Sequence, residues 1–316
     1  MTIDNIKEEI EKANSIAILT HESPDGDAVG SALAMYLTLK KLGKKADVII
    51  PEYSNVFRFL PGAAEIKKEG KEGPYDLAIS VDVSTIKRLN GFASYFEDAK
   101  VRIQIDHHQA NDMFADYNFV NPASPACAQN LILIIENLGV EIDKEIGTCL
   151  LTGIITDTGG FKYEGVSAET FEFASELLTK GVNVSEIYKK VLQMKTKANF
   201  ELRKLIMDRM EFINDEKITF TYITLEDFNK TKAEEGDHEG LVEVGRDIEG
   251  VEVSIFLRET ENGYKASLRS NNYVNVSDVC IAFNGGGHIR AAGCTINATL
   301  QEAKEKIINE VNKYIK

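Results

Sequence analysis

Only five histidines occur in the 316 residues, and two of them, His107 and His108, stand side by side directly after Asp106. The stretch VRIQIDHH thus delivers a carboxylate and two imidazoles straight off an apolar run. Three other short stretches do something similar. HESPDGD follows SIAILT and presents His21, Asp25 and Asp27, DLAISV runs into Asp82, and GIITDTGGF places Asp157 before a glycine pair. Mixed carboxylate and imidazole donors suit Mn²⁺, with Mg²⁺, Fe²⁺ or Co²⁺ as alternatives, and no thiolate is placed to favour zinc. Five carboxylates (Asp25, Asp27, Asp82, Asp106, Asp157) gathered at one point repel one another unless cations are present. Two divalent ions roughly 3.5–4 Å apart, sharing a bridging carboxylate, activate a water for in-line attack on phosphorus. Asp82, alone at its strand end, is the natural bridge. The chemistry to expect is phosphoester hydrolysis.

Taken singly, each residue has a blander explanation. A strand-end aspartate is most often a turn former or a helix N-cap, PDGD builds a turn by itself, and a lone histidine is usually packed. The weight comes from convergence, because the elements that precede these residues all belong to one predicted sheet. SIAILT (15–20), ADVII (46–50), DLAISV (76–81) and VRIQI (101–105) are nearly continuous in hydrophobicity, as strands covered on both faces are. Helical patterns at 30–43, 125–138, 143–156 and 167–180 alternate with them or follow them. The expected fold is α/β: an N-terminal doubly wound parallel sheet, with ligands gathering at the carboxyl ends of its strands. A polar, lysine-containing stretch (186–199) reads as a helical linker. Beyond it KITFTYIT, VEVSIFLRE and YKASLRS alternate as half-buried strands do, which predicts a smaller C-terminal α+β domain over 200–316.

Together the motifs resemble those of the DHH phosphoesterase superfamily: HESPDGDAVGS, the isolated Asp82, DHH at 106–108 and TDTGGF at 156–161. GGGHIRAAG (285–293) resembles the signature of the DHH-associated C-terminal domain. Within the superfamily the two-domain length is similar to NrnA-type oligoribonucleases that also act on 3′-phosphoadenosine 5′-phosphate. The resemblance implies a first metal on His21, Asp25 and Asp82 and a second on Asp27, Asp82, His107 and Asp157, with residues 1–185 as the catalytic domain. It also implies that His108 faces the phosphate and assists the leaving oxygen, with Asp106 supporting it. Arg258, Arg269, Ser270, Asn271 and the loop Gly285, Gly286, Gly287 and His288 would hold the terminal nucleotide, and Arg290 adds positive potential beside them. Domain closure would then assemble the site. Two positions depart from the family pattern: Ser23 stands where asparagine is usual, and Asn284 where glycine is usual.

Composition narrows the partners. The net charge of −14 argues against gripping a long duplex, which needs clustered basic side chains. Short single-stranded RNA or small phosphorylated nucleotides fit better. The polar N-terminus and the absence of a long apolar run predict a cytoplasmic protein with no membrane partner, and the four scattered cysteines read as buried thiols. A homodimer is expected from the resemblance. Cleavage of cyclic di-AMP or linear pApA is the rival activity, and a sensor that has lost catalysis would be expected to lack a ligand residue that is present here. An inorganic pyrophosphatase would lack GGGH, and a RecJ-like exonuclease would carry further domains.

Overall fold

The structure, a computed structural model, describes residues 3–234 and 236–316. The chain forms two compact units, Met1–Met194 and Lys195–Lys316.

In the first unit five strands, β1 (Ser15–Leu19), β2 (Lys45–Ile49), β3 (Leu77–Val81), β4 (Val101–Asp106) and β5 (Tyr117–Val120), pair all-parallel in the order β2-β1-β3-β4-β5. Strand order reverses between β1 and β3, and this is the crevice where a doubly wound sheet takes its ligand. β3 reads Leu-Ala-Ile-Ser-Val and is buried at every position, because helices cover both faces. The covering helices are α1 (Ile3–Lys12), α2 (Gly26–Lys41), α3 (Ala93–Glu97), α4 (Cys127–Asn137), α5 (Lys144–Asp157), α6 (Ala168–Thr179) and α7 (Val184–Tyr188). α2 is apolar almost all round because α4, α5 and the sheet enclose it. The edge strand β5 was not expected. Its residues are all half-buried and give no alternation to read.

The boundary between units falls inside the stretch read as a linker. α7 and the single π-helical turn after it (Lys189–Gln193) pack Ile187, Val191 and Leu192 onto the first core, and the second unit begins at Lys195. That unit contains α8 (Lys197–Asp208), β6 (Glu211–Ile213), β7 (Ile218–Ile223), α9 (Leu225–Thr231), α10 (Val242–Arg246), β8 (Val253–Thr260), β9 (Gly263–Ser270), α11 (Val276–Ile281), β10 (Gly286–His288), β11 (Ala291–Ile296) and α12 (Leu300–Asn312). Its mixed sheet runs β10-β11-β9-β8-β7-β6, with β7 and β8 parallel and the other pairs antiparallel. Tyr264, Ala266 and Leu268 of β9 face the core with Val253, Ile255 and Leu257 of β8. The pleat therefore puts Lys265, Ser267 and Arg269, with Arg258 of β8, on the opposite face. No helix among the described residues is long and apolar enough to cross a membrane.

Candidate metal centre

Asp27 illustrates how the first unit builds its site. α2 starts at an N-cap, Asp25, whose Oδ1 accepts the N–H groups of Asp27 (3.0 Å) and Ala28 (3.1 Å). PDGD is thus a helix start and not a free-standing turn: Asp25 caps α2 and also faces His21 and Asp82. Two residues on, within the first turn, Asp27 is fully buried. α4 begins at Ala126, which has no capping side chain, and Asp27 supplies the cap from 100 residues away. Its carboxylate accepts Cys127 N–H (2.6 Å), Ala128 N–H (2.9 Å) and the Ser31 hydroxyl (3.1 Å). A carboxylate at a helix N-terminus is also favoured by the peptide dipoles. Glycines let α2 and α5 approach closely enough for this. A Cβ on Gly153 would lie 2.6 Å from Asp27 Oδ1, and one on Gly30 would lie 2.5 Å from the Cys149 carbonyl.

The histidines are held with one nitrogen tied back and the other aimed inward. His21 Nδ1 lies 2.7 Å from the Glu22 carbonyl and His107 Nδ1 lies 3.2 Å from the Ser124 carbonyl. A carbonyl can only accept, so each Nδ1 carries the proton and each Nε2 is left to coordinate. His21 Nε2 points at Asp82 Oδ2 (3.6 Å), while His107 Nε2 lies 3.4 Å from both Asp82 Oδ1 and Asp157 Oδ2 and 3.9 Å from Asp27. Asp82, just past β3, adopts φ +59, a left-handed conformation that aspartate tolerates better than most residues. Its Oδ1 is buried without a hydrogen-bond partner, 3.4 Å from His107 Nε2. Ligating atoms of His21, Asp25 and Asp82 lie within 4.8 Å of one another, as do those of Asp27, Asp82 and His107. Asp82 belongs to both groups.

Proton affinities follow this crowding. Burial pushes the Asp27 carboxyl up, reinforced by Asp82, to about 7. Burial likewise holds Asp157 well above the usual carboxylate range, against the attraction of His107. For Asp82 burial is outweighed by contacts with His107 and His21 and by the field of His108, so it stays well below that range. Burial lowers the proton affinity of His21 and His107, but Asp82 more than reverses it in both, aided at His107 by Asp157. Protons thus take up the negative charge that the sequence reading assigned to cations. Two carboxylates under 5 Å apart repel by roughly 3 kcal/mol at an effective dielectric of 20. An orphaned buried oxygen, inward Nε2 atoms and clustered carboxylates together make a donor set that fits divalent cations.

Asp106 and His108 form a hydrogen-bonded pair whose ligating atoms also lie within 4.8 Å of Asp82. Asp106 is fully buried, and its Oδ1 lies 2.8 Å from His108 Nδ1 while its Oδ2 accepts the His108 N–H at 3.3 Å. His108 Nδ1 lies 3.6 Å from Asp82. The adjacent histidines therefore have different orienting partners, a backbone carbonyl for His107 and a carboxylate for His108. Asn130, unremarked in the sequence, donates to the Asp106 carbonyl at 2.9 Å, and Asn111 donates to its Oδ2. Neither carries a motif signal that could have exposed it.

In the second unit the residues expected to hold a nucleotide behave unequally. The buried Ser270 hydroxyl donates to the Val274 carbonyl, and Asn271 Nδ2 donates to the carbonyls of Arg246 and Val251, so both side chains brace a loop. Arg290 likewise ties its guanidinium to the Val274 and Asn272 carbonyls. Arg269 is held by Glu243 (2.9 Å), whose Oε2 is buried without a partner, and it shares its sheet face with Arg258. GGGH is partly strand. Cβ atoms on Gly285 and Gly287 would collide with the Gly293 and Ala291 carbonyls of β11, so these two glycines serve hairpin packing, while Gly286 and His288 are exposed and Gly286 faces open space. Of the two departures from the family pattern, Asn284 (φ +58) occupies the left-handed region that asparagine and glycine favour, whereas nothing in the structure explains serine at 23, where φ is +56. All four cysteines are free and buried.

The chain belongs to the DHH family. Residues 15–154 match the DHH family N-terminal domain and residues 215–316 match the DHHA1 domain. The chain is 35% identical over 300 residues to the bifunctional oligoribonuclease and PAP phosphatase NrnA of Thermus thermophilus, covering 94% of this chain and 89% of that one. It is 26% identical to the Bacillus subtilis protein of the same name, covering 90% of each. Among solved structures, an exopolyphosphatase-related protein from Bacteroides fragilis matches with a TM-score of 0.90 and 30% identity, covering 99% of this chain and 96% of that one.

Proposed function

We propose that this protein is a phosphoesterase that hydrolyses short RNA oligonucleotides to mononucleotides and also removes a phosphate from 3′-phosphoadenosine 5′-phosphate, using two divalent cations. The observation that carries the reading is Asp82: a buried carboxylate with an orphaned oxygen, shared by two donor groups. His21, Asp25 and Asp82 would hold one cation, and Asp27, Asp82, His107 and Asp157 the other. Such ions, Mn²⁺ being the first to try, polarise a phosphoryl oxygen and lower the proton affinity of bound water. The protein's own contribution is positioning. The Glu22 and Ser124 carbonyls fix the two imidazoles, the α4 amides fix Asp27, and Asp106 holds His108 to hand a proton to the departing oxygen. Arg258 and Arg269, on one face of the second sheet, supply positive charge for a terminal phosphate. The named activity of the T. thermophilus and B. subtilis relatives supports this choice over an unspecified phosphoesterase.

The test is a Mn²⁺-supplemented digestion series on RNA 2-mers to 24-mers, pApA, cyclic di-AMP and 3′-phosphoadenosine 5′-phosphate. Fast mononucleotide release from 2- to 5-mers supports the proposal. Preference for cyclic di-AMP would overturn the substrate assignment, and no turnover at all would overturn the enzyme.

A further inference from the structure

Asp157 is followed by a turn whose backbone is more contorted than chain reversal needs. Gly159, Gly160 and Phe161 have φ of +58, +77 and +64, and the left-handed region disfavours any residue with a Cβ. Thr158 holds the turn: its hydroxyl oxygen accepts Phe161 N–H (2.9 Å), and its carbonyl accepts those of Lys162 (2.9 Å) and Tyr163 (3.1 Å). Glycine would carry this third left-handed position at lower cost, yet the chain places there an aromatic ring that packs partly on the first core. That ring stacks on Phe171 of α6, with centroids 5.2 Å apart and planes at 24°. Phe171 is 55% exposed and Tyr163 is 41% exposed, an unusual display of aromatic surface in an otherwise polar segment. The Tyr163 ring lies over Gly159, where a Cβ would come within 2.4 Å of it.

One end of this segment lies in the carboxylate cluster and the other packs on the start of α4, whose amides hold Asp27. At one end Asp157 lies 3.4 Å from His107. At the other, Gly165 lies against Pro125 and Glu169 accepts from Gln129 Nε2 (3.2 Å). Pro125 and Gln129 flank the Cys127 and Ala128 amides that hold Asp27. The aromatic surface therefore borders the place where a phosphate would be cleaved.

We propose that Phe161 and Phe171, with Tyr163 beside them, form a platform on which the nucleobase next to the scissile phosphate stacks. This rests on the phosphoesterase reading and deepens it. The ligand class is an unpaired nucleoside phosphate of any base, because stacking uses the π-face that every base has. The platform accounts for a nucleotide substrate where the metal-type cluster alone would serve any phosphoester.

The test uses the full chain, as wild type, Phe171→Leu and Phe171→Tyr, with two readouts. Binding of a dinucleotide carrying 2-aminopurine, whose fluorescence falls on stacking, should be quenched by wild type and Phe171→Tyr but not by Phe171→Leu. In Mn²⁺, KM for pApA should rise about tenfold in Phe171→Leu, with kcat and the KM for an abasic dinucleotide unchanged. No quenching by wild type, or an equal KM change for both substrates, overturns the platform. Quenching without turnover of any substrate retains the platform and overturns the hydrolase reading, while cleavage without quenching does the reverse.

Discussion

Removing the cations should make the protein lose stability as pH rises, and the size of the loss can be worked from Asp27. Its proton affinity rises from an ordinary 3.8 to about 7 in the fold, chiefly through burial and then through Asp82. Between those values the metal-free folded state holds a proton that the unfolded state has released, so stability falls by about 1.4 kcal/mol per pH unit. From pH 4.5 to 7 that is about 3 kcal/mol. Asp157, also raised by burial, acts in the same direction. His21 and His107, both raised because Asp82 outweighs their burial, contribute stability below about 6.5 that is lost at higher pH, again the same sign. Asp82 is the exception, but its lowered value acts only below 3.8. A bound cation replaces these protons, so its stabilisation grows over the window in which the metal-free protein weakens. Thermal melts in chelator should drop by about 6–12 °C between pH 4.5 and 7, given about 2–4 °C per kcal/mol for a unit of this size. Saturating Mn²⁺ should flatten or reverse that slope. A melting temperature that rises with pH in chelator, or a Mn²⁺ effect equal at both pH values, would refute the reasoning.

Gly153→Ala should abolish Mn²⁺ binding although alanine is the better helix former, because the new Cβ would sit 2.6 Å from Asp27 Oδ1 and 2.7 Å from Ala128 Cβ; unchanged affinity by calorimetry would contradict it. His108→Ala should cut kcat by about 10²–10⁴ while leaving Mn²⁺ stoichiometry intact, since Asp106 and not a cation orients it; a lost ion would make His108 a ligand instead. In the second unit, burial of Asp227 is more than offset by Arg209 (2.5 and 3.0 Å) and by Thr224, which hold its carboxyl down at about 2. That stability is present above pH 3.8 and lost as pH falls towards 2, and Asp227→Asn should cost about 2 kcal/mol in urea unfolding at pH 7.

Much of the first unit was legible because its chemistry-bearing residues directly follow apolar strands, so His21, Asp82 and Asp106 announce both an element and a site. Hydrophobic period alone gives four of the five strands of the parallel sheet and β7, β8 and β9 of the second sheet, while β5, β6 and β11 are too short or too mixed to read. What stayed hidden depends on partners far apart in sequence. The amides of Cys127 and Ala128 carry no side-chain signal, and nothing local says that Gly153 makes room for Asp27. Ser270, Asn271 and Arg290, read in sequence as residues around a bound nucleotide, donate here to loop carbonyls, a bracing role that their residue types do not announce. β10 was hidden inside GGGH, because glycines that permit close backbone packing read the same as glycines that flank a ligand.

The most direct test of the account is the number of Mn²⁺ ions bound per chain at equilibrium dialysis, for wild type and for Asp82→Asn, a substitution that keeps the shape and suits φ +59. Two ions in wild type and fewer than one in Asp82→Asn are predicted, since Asp82 serves both donor groups. Two ions retained by Asp82→Asn, or no more than one in wild type, would contradict the shared site.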